Sequence, residues 1–307
     1  MAAITTMFMS HCEAGDKVVS TRQLYGGAYS LLSSFLPRYG IETVFVDVDD
    51  LDAIEREIRG AKLFYCETIG NPRIVVADLP RIGELASEAG VPVVVDSTFA
   101  SPVLCRPLEH GASIVMHSAT KFLGGHHDLM GGILCGDPSS IAKVQHFARE
   151  FGPTMAPFNA WLALRGLATM PLRVERSCAS ALAIARALQA RDDINVVCYP
   201  ALDSDPSKSL ADSLLGGRGG GTLGFDVAGG KERASRFQEK LEVVKAAASL
   251  GGTHSLIVHA ASVTHTQLTE EELRAAGIAE GFCRLSVGLE DPDDLVADLE
   301  TALDAVS

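Results

Sequence analysis

The stretch Val91-Pro-Val-Val-Val-Asp96 decides the fold. Its nearly continuous apolar residues are typical of a strand that is covered on both faces. A helical pattern at Asp78–Ala89 precedes it, and Gly90 and Pro92 are signals for the end of that helix. A helix that leads directly into a doubly covered strand is the repeating unit of an α/β protein with a parallel sheet.

The same alternation of β-branched runs and helical patterns extends through the first half of the chain. It predicts the α/β class, with a mostly parallel sheet sandwiched by helices and right-handed crossovers. The other predicted strands are Lys17–Ser20, Thr43–Val48, Leu63–Glu67, Ile114–Ser118 and Gly132–Gly136, and the other predicted helices are Gly27–Arg38 and Leu51–Ile58.

From about Ala156 the pattern changes to long helices rich in Ala and Leu, followed by further strands. This change predicts a large domain over residues 1–170 and a smaller C-terminal α+β domain over residues 171–307. Trp161 and the leucines beside it are expected in the core between the two domains. The predicted elements are the helices Trp161–Ala168, Leu172–Ala190, Lys231–Lys240 and Pro292–Val306 and the strands Thr222–Val227 and Phe282–Val287.

Composition excludes several classes of partner. The formal net charge is −13, and an acidic surface repels phosphate backbones, so no nucleic-acid partner is expected. No run of apolar residues is long enough for a transmembrane helix, so no membrane partner is expected either. The seven cysteines stand singly, with no Cys-x-x-Cys pair, which predicts reduced thiols and a cytoplasmic location.

Two predicted strands end in residues that suit one cofactor. Asp96 ends one strand, and Ser118-Ala-Thr-Lys121 follows the end of the next. Ligands of an open α/β sheet bind beyond the carboxyl ends of the strands, so the two sites can face one crevice. Pyridoxal 5′-phosphate (PLP) needs a lysine amine for its Schiff base and a carboxylate that keeps its pyridine nitrogen protonated. The hydroxyls of Ser118 and Thr120 suit its phosphate.

Three further residues each allow a functional and a structural interpretation. Tyr25 could lie flat on a cofactor ring and transfer a proton, or it could be an ordinary turn residue. Asn71 could contact the cofactor's ring oxygen or a substrate carboxylate, or it could only initiate a turn before Pro72. Arg284, within an apolar strand, could bind a substrate carboxylate or form a structural salt bridge.

Three other patterns in the sequence lack the neighbouring residues or elements that their usual functions require. Ser118-x-x-Lys121 matches an element of the serine β-lactamases, but the Ser-Asp-Asn and Lys-Thr-Gly partners are absent from the sequence. Gly219-x-Gly221-x-x-Gly224 has dinucleotide-fingerprint spacing, yet a strand follows it instead of a helix. The adjacent His126 and His127 would point to opposite faces of an extended segment, so no metal site is predicted.

The ordered set of motifs resembles the Cys/Met-metabolism PLP enzymes, which include cystathionine γ-synthase, cystathionine γ-lyase, methionine γ-lyase and the homoserine-ester sulfhydrylases. The resemblance spans nearly the whole chain. It rests on Leu24-Tyr-Gly-Gly27, Glu67-Thr-x-x-Asn-Pro72, Val94-Val-Asp-Ser-Thr98, His117-Ser-Ala-Thr-Lys121, Ser249-Leu-Gly-Gly252, Ser262-x-Thr-His265 and Arg284-Leu-Ser-Val-Gly-Leu-Glu290.

The resemblance implies a fold-type-I PLP-dependent enzyme that forms a homotetramer of catalytic dimers. It implies elimination or replacement at the γ-carbon of sulfur-containing or homoserine-derived amino acids, with Lys121 and Tyr25 as the catalytic residues. Lys121 would carry the cofactor and shuttle protons, and Arg284 would hold the substrate α-carboxylate. The implied cofactor-binding residues are Lys121, Asp96, Tyr25, Ser118, Thr120, Met1 and Asn71, and the implied substrate-binding residues are Arg284, Ser249 and Asn71.

The sequence departs from the family pattern at three places. Met1-Ala-Ala-Ile4 resembles the end of a phosphate-binding segment that normally lies well inside the chain, and the earlier Tyr-x-Arg element has no counterpart. A truncated chain is therefore expected, and a catalytically impaired structural or assembly partner is the alternative function. Gly27 stands where methionine γ-lyases carry Cys, and His254 replaces a glutamate that positions the distal amino group of cystathionine.

Overall fold

The computed structural model describes residues 1–260 and 279–306 of the chain. The stretch Ser262-x-Thr-His265, one of those that carry the resemblance, lies outside the described residues. Among the described helices, none is both long and apolar enough to cross a membrane.

Six strands within the described residues form the first sheet, in the order β2-β1-β3-β4-β5-β6. Neighbouring strands from β2 to β5 are parallel, and β6 is antiparallel to β5. The mostly parallel sheet predicted from the sequence is confirmed. The strands are β1 (Lys17–Thr21), β2 (Glu42–Val46), β3 (Leu63–Glu67), β4 (Val93–Asp96), β5 (Ile114–Ser118) and β6 (Gly132–Gly136).

The stretch that decides the fold lies in the middle of this sheet as β4, whose four residues are all buried. The preceding helix α4 (Leu79–Ala89) is capped by the Asp78 carboxylate, which accepts from Arg81 N, and it ends at the left-handed Gly90 (φ 68°). Because β3, β4 and β5 run in parallel, their carboxyl ends meet at one edge, where Glu67 and Asp96 are register partners.

A second sheet holds the C-terminal α+β part, in the order β7-β8-β11-β10-β9. Its strands pair antiparallel, except that β9 and β10 are parallel. The predicted α+β character of this part is confirmed. The strands are β7 (Ile194–Cys198), β8 (Thr222–Val227), β9 (Lys245–Ala246), β10 (Leu256–His259) and β11 (Phe282–Ser286).

Helices cover both sheets. They are α1 (Ala2–His11), α2 (Gly26–Ser30), α3 (Leu51–Ile58), α4 (Leu79–Ala89), α5 (Ser101–Leu104), α6 (Pro138–Phe151), α7 (Pro157–Leu167), α8 (Met170–Gln189), α9 (Lys208–Leu214), α10 (Gly230–Lys240) and the last helix, Pro292–Asp304.

Helix α8 connects the two sheets. The side chains near its start, such as Met170 and Val174, belong to the core of the first sheet. Those near its end, such as Ile184 and Leu188, belong to the core of the second sheet. The division of the chain into residues 1–170 and 171–307 stays a prediction, because this helix contributes to both cores.

The helical pattern predicted at about Gly27–Arg38 is helical in the structure, but it is not one regular α-helix. Helix α2 ends at Ser30, a π-type turn follows at Leu31–Phe35, and a 3₁₀ turn at Leu36–Tyr39 ends at the left-handed Gly40 (φ 74°). Pro37 has no N–H to donate to the preceding turn, so a regular α-helix cannot pass through it.

Several elements were missed by the sequence analysis, among them α6, α9, β7, β9 and β10. The sequence contains a helix-start signal for α6, an Asp followed by a Pro. In the structure, Asp137 accepts from Ser139 N and Ser140 N, and Pro138 occupies the first turn. The expectation that Trp161 lies in an interdomain core is also wrong. Its side chain is 54% exposed, and Leu164 on the same helix is 69% exposed.

Candidate active site

Lys121 lies in a tight turn directly after β5. The turn Ala119–Leu123 is π-type, and Lys121 itself has a non-helical backbone conformation. Its Nζ donates to Ser249 Oγ at 2.8 Å. Burial, and secondly the nearby Arg284 cation, lower the pKa of the Lys121 amine to about 8. A larger share of the amine is therefore neutral near physiological pH than for an exposed lysine.

The backbone after Lys121 is held by a buried arginine from α8. Arg173 Nη1 donates to Phe122 O at 2.9 Å, and its Nη2 donates to Leu123 O at 3.4 Å and to Gly166 O at 2.7 Å. The guanidinium thus provides donors for two carbonyls of the tight turn, Phe122 O and Leu123 O, and ties them to Gly166 O of α7. Arg173 was not predicted from the sequence, because nothing in its helical context sets it apart from neighbouring arginines.

Asp96 lies at the end of β4, next to the strand that leads into Lys121. Its Oδ1 accepts from Thr98 N at 2.9 Å, and Thr98 Oγ1 accepts from Ser118 N at 2.8 Å. Burial raises the pKa of the Asp96 carboxyl to about 6. A cation placed beside a buried carboxyl favours its charged form, so this environment suits a protonated ring nitrogen.

Glu67 is a second buried carboxyl at this edge of the sheet. Its Oε1 accepts from Tyr25 N at 2.6 Å. Burial, and secondly the neighbouring Asp96, raise the pKa of Glu67 well above its usual range. The sequence analysis quoted Glu67 within a motif but gave it no role. Its position at a strand end beside Asp96 was the signal that could have found it.

Arg284 and Asn71 form a clamp on the other side of Lys121. Arg284 Nη1 donates to Asn71 Oδ1 at 2.8 Å, and Nη2 donates to Ser249 O at 3.2 Å. Burial lowers the pKa of Arg284 to about 10, which leaves it cationic at neutral pH. Its buried Nε has no hydrogen-bond partner in the part of the chain that the structure describes. The direct partners of the buried Arg284 cation are uncharged. This favours the interpretation that Arg284 binds a carboxylate ligand over the interpretation that it forms a structural salt bridge.

Tyr25 and Met1 lie together near the same edge. Tyr25 precedes α2, and its side chain is 49% exposed. A Cβ placed on Gly27 would lie 2.6 Å from Tyr25 Cε1 and 3.0 Å from Met1 Sδ. Glycine at this position therefore leaves room for both side chains, and a larger residue would displace the tyrosine ring.

Ser118 and Thr120 lie close to the start of α1. Ser118 is the register partner of Gly132 on β6, and Thr120 Oγ1 accepts from Gly131 N at 3.0 Å. A Cβ on Gly132 would lie 2.6 Å from Ala3 Cβ, which brings the first turn of α1 against this strand. Free N–H groups at a helix start and two hydroxyls form a suitable environment for a phosphate.

The adjacent histidines do not converge on one point. His126 Nδ1 hydrogen-bonds with Gly124 O at 2.8 Å. The His127 ring lies against the loop of Ser249, since a Cβ on Gly252 would be 1.9 Å from His127 Nε2.

The predicted site residues are thus brought together near the carboxyl edge of the first sheet. A reactive lysine, a buried carboxylate on the next strand, a phosphate environment and a carboxylate clamp fit PLP and an amino-acid substrate. These features define a PLP-dependent enzyme of fold type I.

Comparison with known proteins identifies the family. The family model for the Cys/Met metabolism PLP-dependent enzymes matches residues 1–304. An O-acetyl-L-homoserine sulfhydrylase from Leptospira meyeri is 39% identical, over 95% of this chain and 75% of that protein. An L-methionine γ-lyase from Porphyromonas gingivalis is 38% identical, over 100% of this chain and 77% of that protein.

Solved structures agree. The cystathionine γ-synthase from Xanthomonas oryzae pv. oryzae, in complex with aminoacrylate and cysteine, superposes with a TM-score of 0.95 at 34% identity, over 100% of this chain and 79% of that one. The chain belongs to the Cys/Met metabolism PLP-dependent enzymes. The predicted fold type, the PLP cofactor and the class of activity, elimination or replacement at the γ-carbon, are confirmed at the level of this family.

We predict that Arg173→Met destabilises the protein by about 3 kcal/mol, because buried backbone carbonyls lose charged donors. Urea denaturation of the purified protein measures this change. Arg176→Met is the matched control, since Arg176 lies one turn along α8 and makes an exposed contact with Glu290 O. Equal midpoints for the two variants would contradict the role of Arg173 in holding the Lys121 turn.

Proposed function

We propose that this chain catalyses γ-elimination or γ-replacement on homoserine-derived and sulfur-containing amino acids, with PLP held on Lys121. The observation that carries the proposal is the hydrogen bond from Lys121 Nζ to Ser249 Oγ, at 2.8 Å. Ser249 O in turn accepts from Arg284, so the cofactor lysine and the carboxylate clamp share one residue. A substrate held by Arg284 would therefore have its reacting carbons near the Lys121 amine.

Seven residues are proposed to bind or contact the cofactor. Lys121 binds PLP through its amine, and Asp96 pairs with the ring nitrogen. Tyr25 covers the ring and assists proton transfer. The phosphate is held by the hydroxyls of Ser118 and Thr120 and by the helix start at Met1, and Asn71 contacts the ring oxygen.

The substrate side is assigned to Arg284, Asn71 and Ser249. Arg284 binds the α-carboxylate, and its unpartnered Nε supplies a further donor. Asn71 orients the guanidinium through its Oδ1. Ser249 accepts a hydrogen bond from the Lys121 amine and so keeps it directed at the substrate.

The reaction requires protons to move at neighbouring substrate carbons. Bound PLP acts as an electron sink that makes these carbons acidic, which allows the γ substituent to leave. Lys121 can carry such protons because its pKa, lowered to about 8, is close to physiological pH. A neutral amine accepts a proton from one carbon, and the resulting ammonium returns it to another.

Acylated homoserines are the proposed substrates within this class. Gly27 and His254 depart from the residues that the resemblance associates with methionine γ-lyases and with cystathionine enzymes. The similarity to an O-acetyl-L-homoserine sulfhydrylase supports the same choice.

We also propose a homo-oligomer, a tetramer of catalytic dimers, in the cytoplasm. All seven cysteines are free, which supports a reducing compartment. Helix α7 supports the assembly, because Phe158 is 67%, Trp161 54% and Leu164 69% exposed on it. Exposed apolar side chains grouped in this way mark interaction surfaces. We call this group the α7 patch (Phe158, Trp161 and Leu164).

We predict that Lys121→Ala abolishes both PLP attachment and turnover while leaving the fold intact. Borohydride reduction with PLP followed by peptide mass spectrometry should label Lys121 in the wild type. Labelling should become faster as the pH rises through about 8, because loss of the ammonium proton exposes the amine lone pair. Lys240→Ala, an exposed position on α10, is the control, and persistent labelling of Lys121→Ala would refute the assignment.

We predict that PLP-loaded protein turns over O-acetyl- or O-succinyl-L-homoserine faster than L-methionine or L-cystathionine. Product analysis should detect a 2-oxo acid without added thiol and a thioether with it. L-2-Aminobutyrate, which lacks a γ leaving group, is the control and should release nothing. Turnover of O-acetyl-L-serine in the absence of any reaction at a γ-carbon would overturn the proposed reaction.

We predict that Trp161→Glu reduces the size of the assembly, because a charge in the α7 patch opposes burial against another copy. Light scattering coupled to size-exclusion chromatography measures the mass. Leu108→Glu is the control, since Leu108 is also exposed, at 46%, but lies outside the α7 patch. A monomeric wild type would contradict the proposed assembly.

A further inference from the structure

Glu67 joins two segments that are far apart in the sequence. Its side chain is only 4% exposed, and its Oε1 accepts from the backbone N–H of Tyr25 at 2.6 Å. The carboxyl at the end of β3 therefore anchors the residue at which α2 begins.

The anchored residue precedes α2, and its carbonyl oxygen accepts from Ala28 N and Tyr29 N. Tyr25 is followed by Gly26 and Gly27, and glycine has more backbone freedom than any other residue. The Tyr25 ring is itself 49% exposed. Its placement next to Gly27, where a Cβ would be 2.6 Å from Tyr25 Cε1, therefore depends strongly on how the Tyr25 backbone is fixed.

The Glu67 carboxyl is buried in an unfavourable environment. The carboxyl is buried beside Asp96, its register partner on β4. Its Oε2 is buried and has no hydrogen-bond partner among the described residues. A buried polar atom without a partner is unfavourable. The other oxygen accepts the Tyr25 N–H, so the position of the Tyr25 backbone is tied to this side chain.

We infer that Glu67 is a positioning residue that holds Tyr25 at the cofactor through the Tyr25 backbone N–H, and that this is its main effect on the reaction. The inference rests on the proposed function, because the Tyr25 ring has a catalytic task only if PLP binds in this crevice. Glu67 is thus distinct from Asp96, although the two carboxyls are neighbours.

A double-mutant cycle tests this inference. Glu67→Met fills the same space without an acceptor, and Tyr25→Ala removes the ring. We expect Glu67→Met to lower kcat by at least about tenfold, since misplacing a group near the chemistry is that costly. In the Tyr25→Ala background, the same substitution should change kcat by less than about twofold. Effects that multiply would overturn the inference, because Glu67 would then act independently of Tyr25.

A second variant keeps the inference falsifiable if Glu67→Met folds poorly. The side-chain oxygen of Glu67→Gln can accept the same N–H, so this variant should restore most of kcat and the wild-type circular dichroism of bound PLP in the visible region. That signal reports the surroundings of the cofactor ring, which a loss of general stability would not alter in the same way. A Glu67→Gln variant with a changed PLP signal and a kcat lowered by tenfold or more would also overturn the inference.

Asp226→Asn is the matched control for loss of a buried carboxyl. Asp226 accepts from Asn195 Nδ2 at 2.7 Å and, like Glu67, has one buried oxygen without a partner among the described residues. It lies on β8 of the second sheet, and its substitution should leave kcat and the PLP signal unchanged. Measurements on the wild type distinguish failure of the proposed function from failure of the role inferred for Glu67. Absence of PLP binding to the wild type would refute the proposed function itself, whereas multiplying effects in an active enzyme would refute only the role of Glu67.

Discussion

The site depends on one constraint, the parallel direction of β3, β4 and β5. Parallel strands end at the same edge of a sheet, and adjacent strands lie about 4.8 Å apart. Glu67 and Asp96 are register partners, and Lys121 follows the end of the next strand. Three ionisable groups from distant parts of the sequence are therefore brought together by backbone pairing alone, before any of their side chains interact.

These ionisable groups and Arg284 can lie close together because two are acidic and two are basic, and because burial shifts the pKa of each toward its neutral form. Burial raises the pKa of the carboxyls of Asp96 and Glu67 and lowers the pKa of Lys121 and Arg284. The nearby Arg284 cation opposes the rise at Glu67 and adds to the fall at Lys121. The pKa of the Lys121 amine is therefore close to physiological pH. A lysine that shuttles protons requires such a pKa.

The sequence predicted the parts of this arrangement that are local. Asp96 and Lys121 could be placed because each follows a recognisable strand, and the edge of a parallel sheet is a general binding position. Ser249 was found only through the resemblance, since it is 128 residues from Lys121 along the chain. Arg173 was missed because its partners are backbone carbonyls that lie 50 residues or more before it in two of its contacts. Trp161 was misassigned because an apolar helical face looks the same in sequence whether another part of the chain covers it or it lies at the surface.

The position of Lys121 is consequently a property of both halves of the chain. Its turn follows a strand of the first sheet, but its amine contacts Ser249 of the second half, and the carbonyls after it are held by Arg173 of the connecting helix. Movement of the second half relative to the first would shift Ser249 and Arg284 together, because Ser249 O accepts from Arg284. The amine and the carboxylate clamp would then lose their alignment at the same time. Helix α8, with side chains in both cores, therefore links the position of the Lys121 turn to that of Ser249 and Arg284.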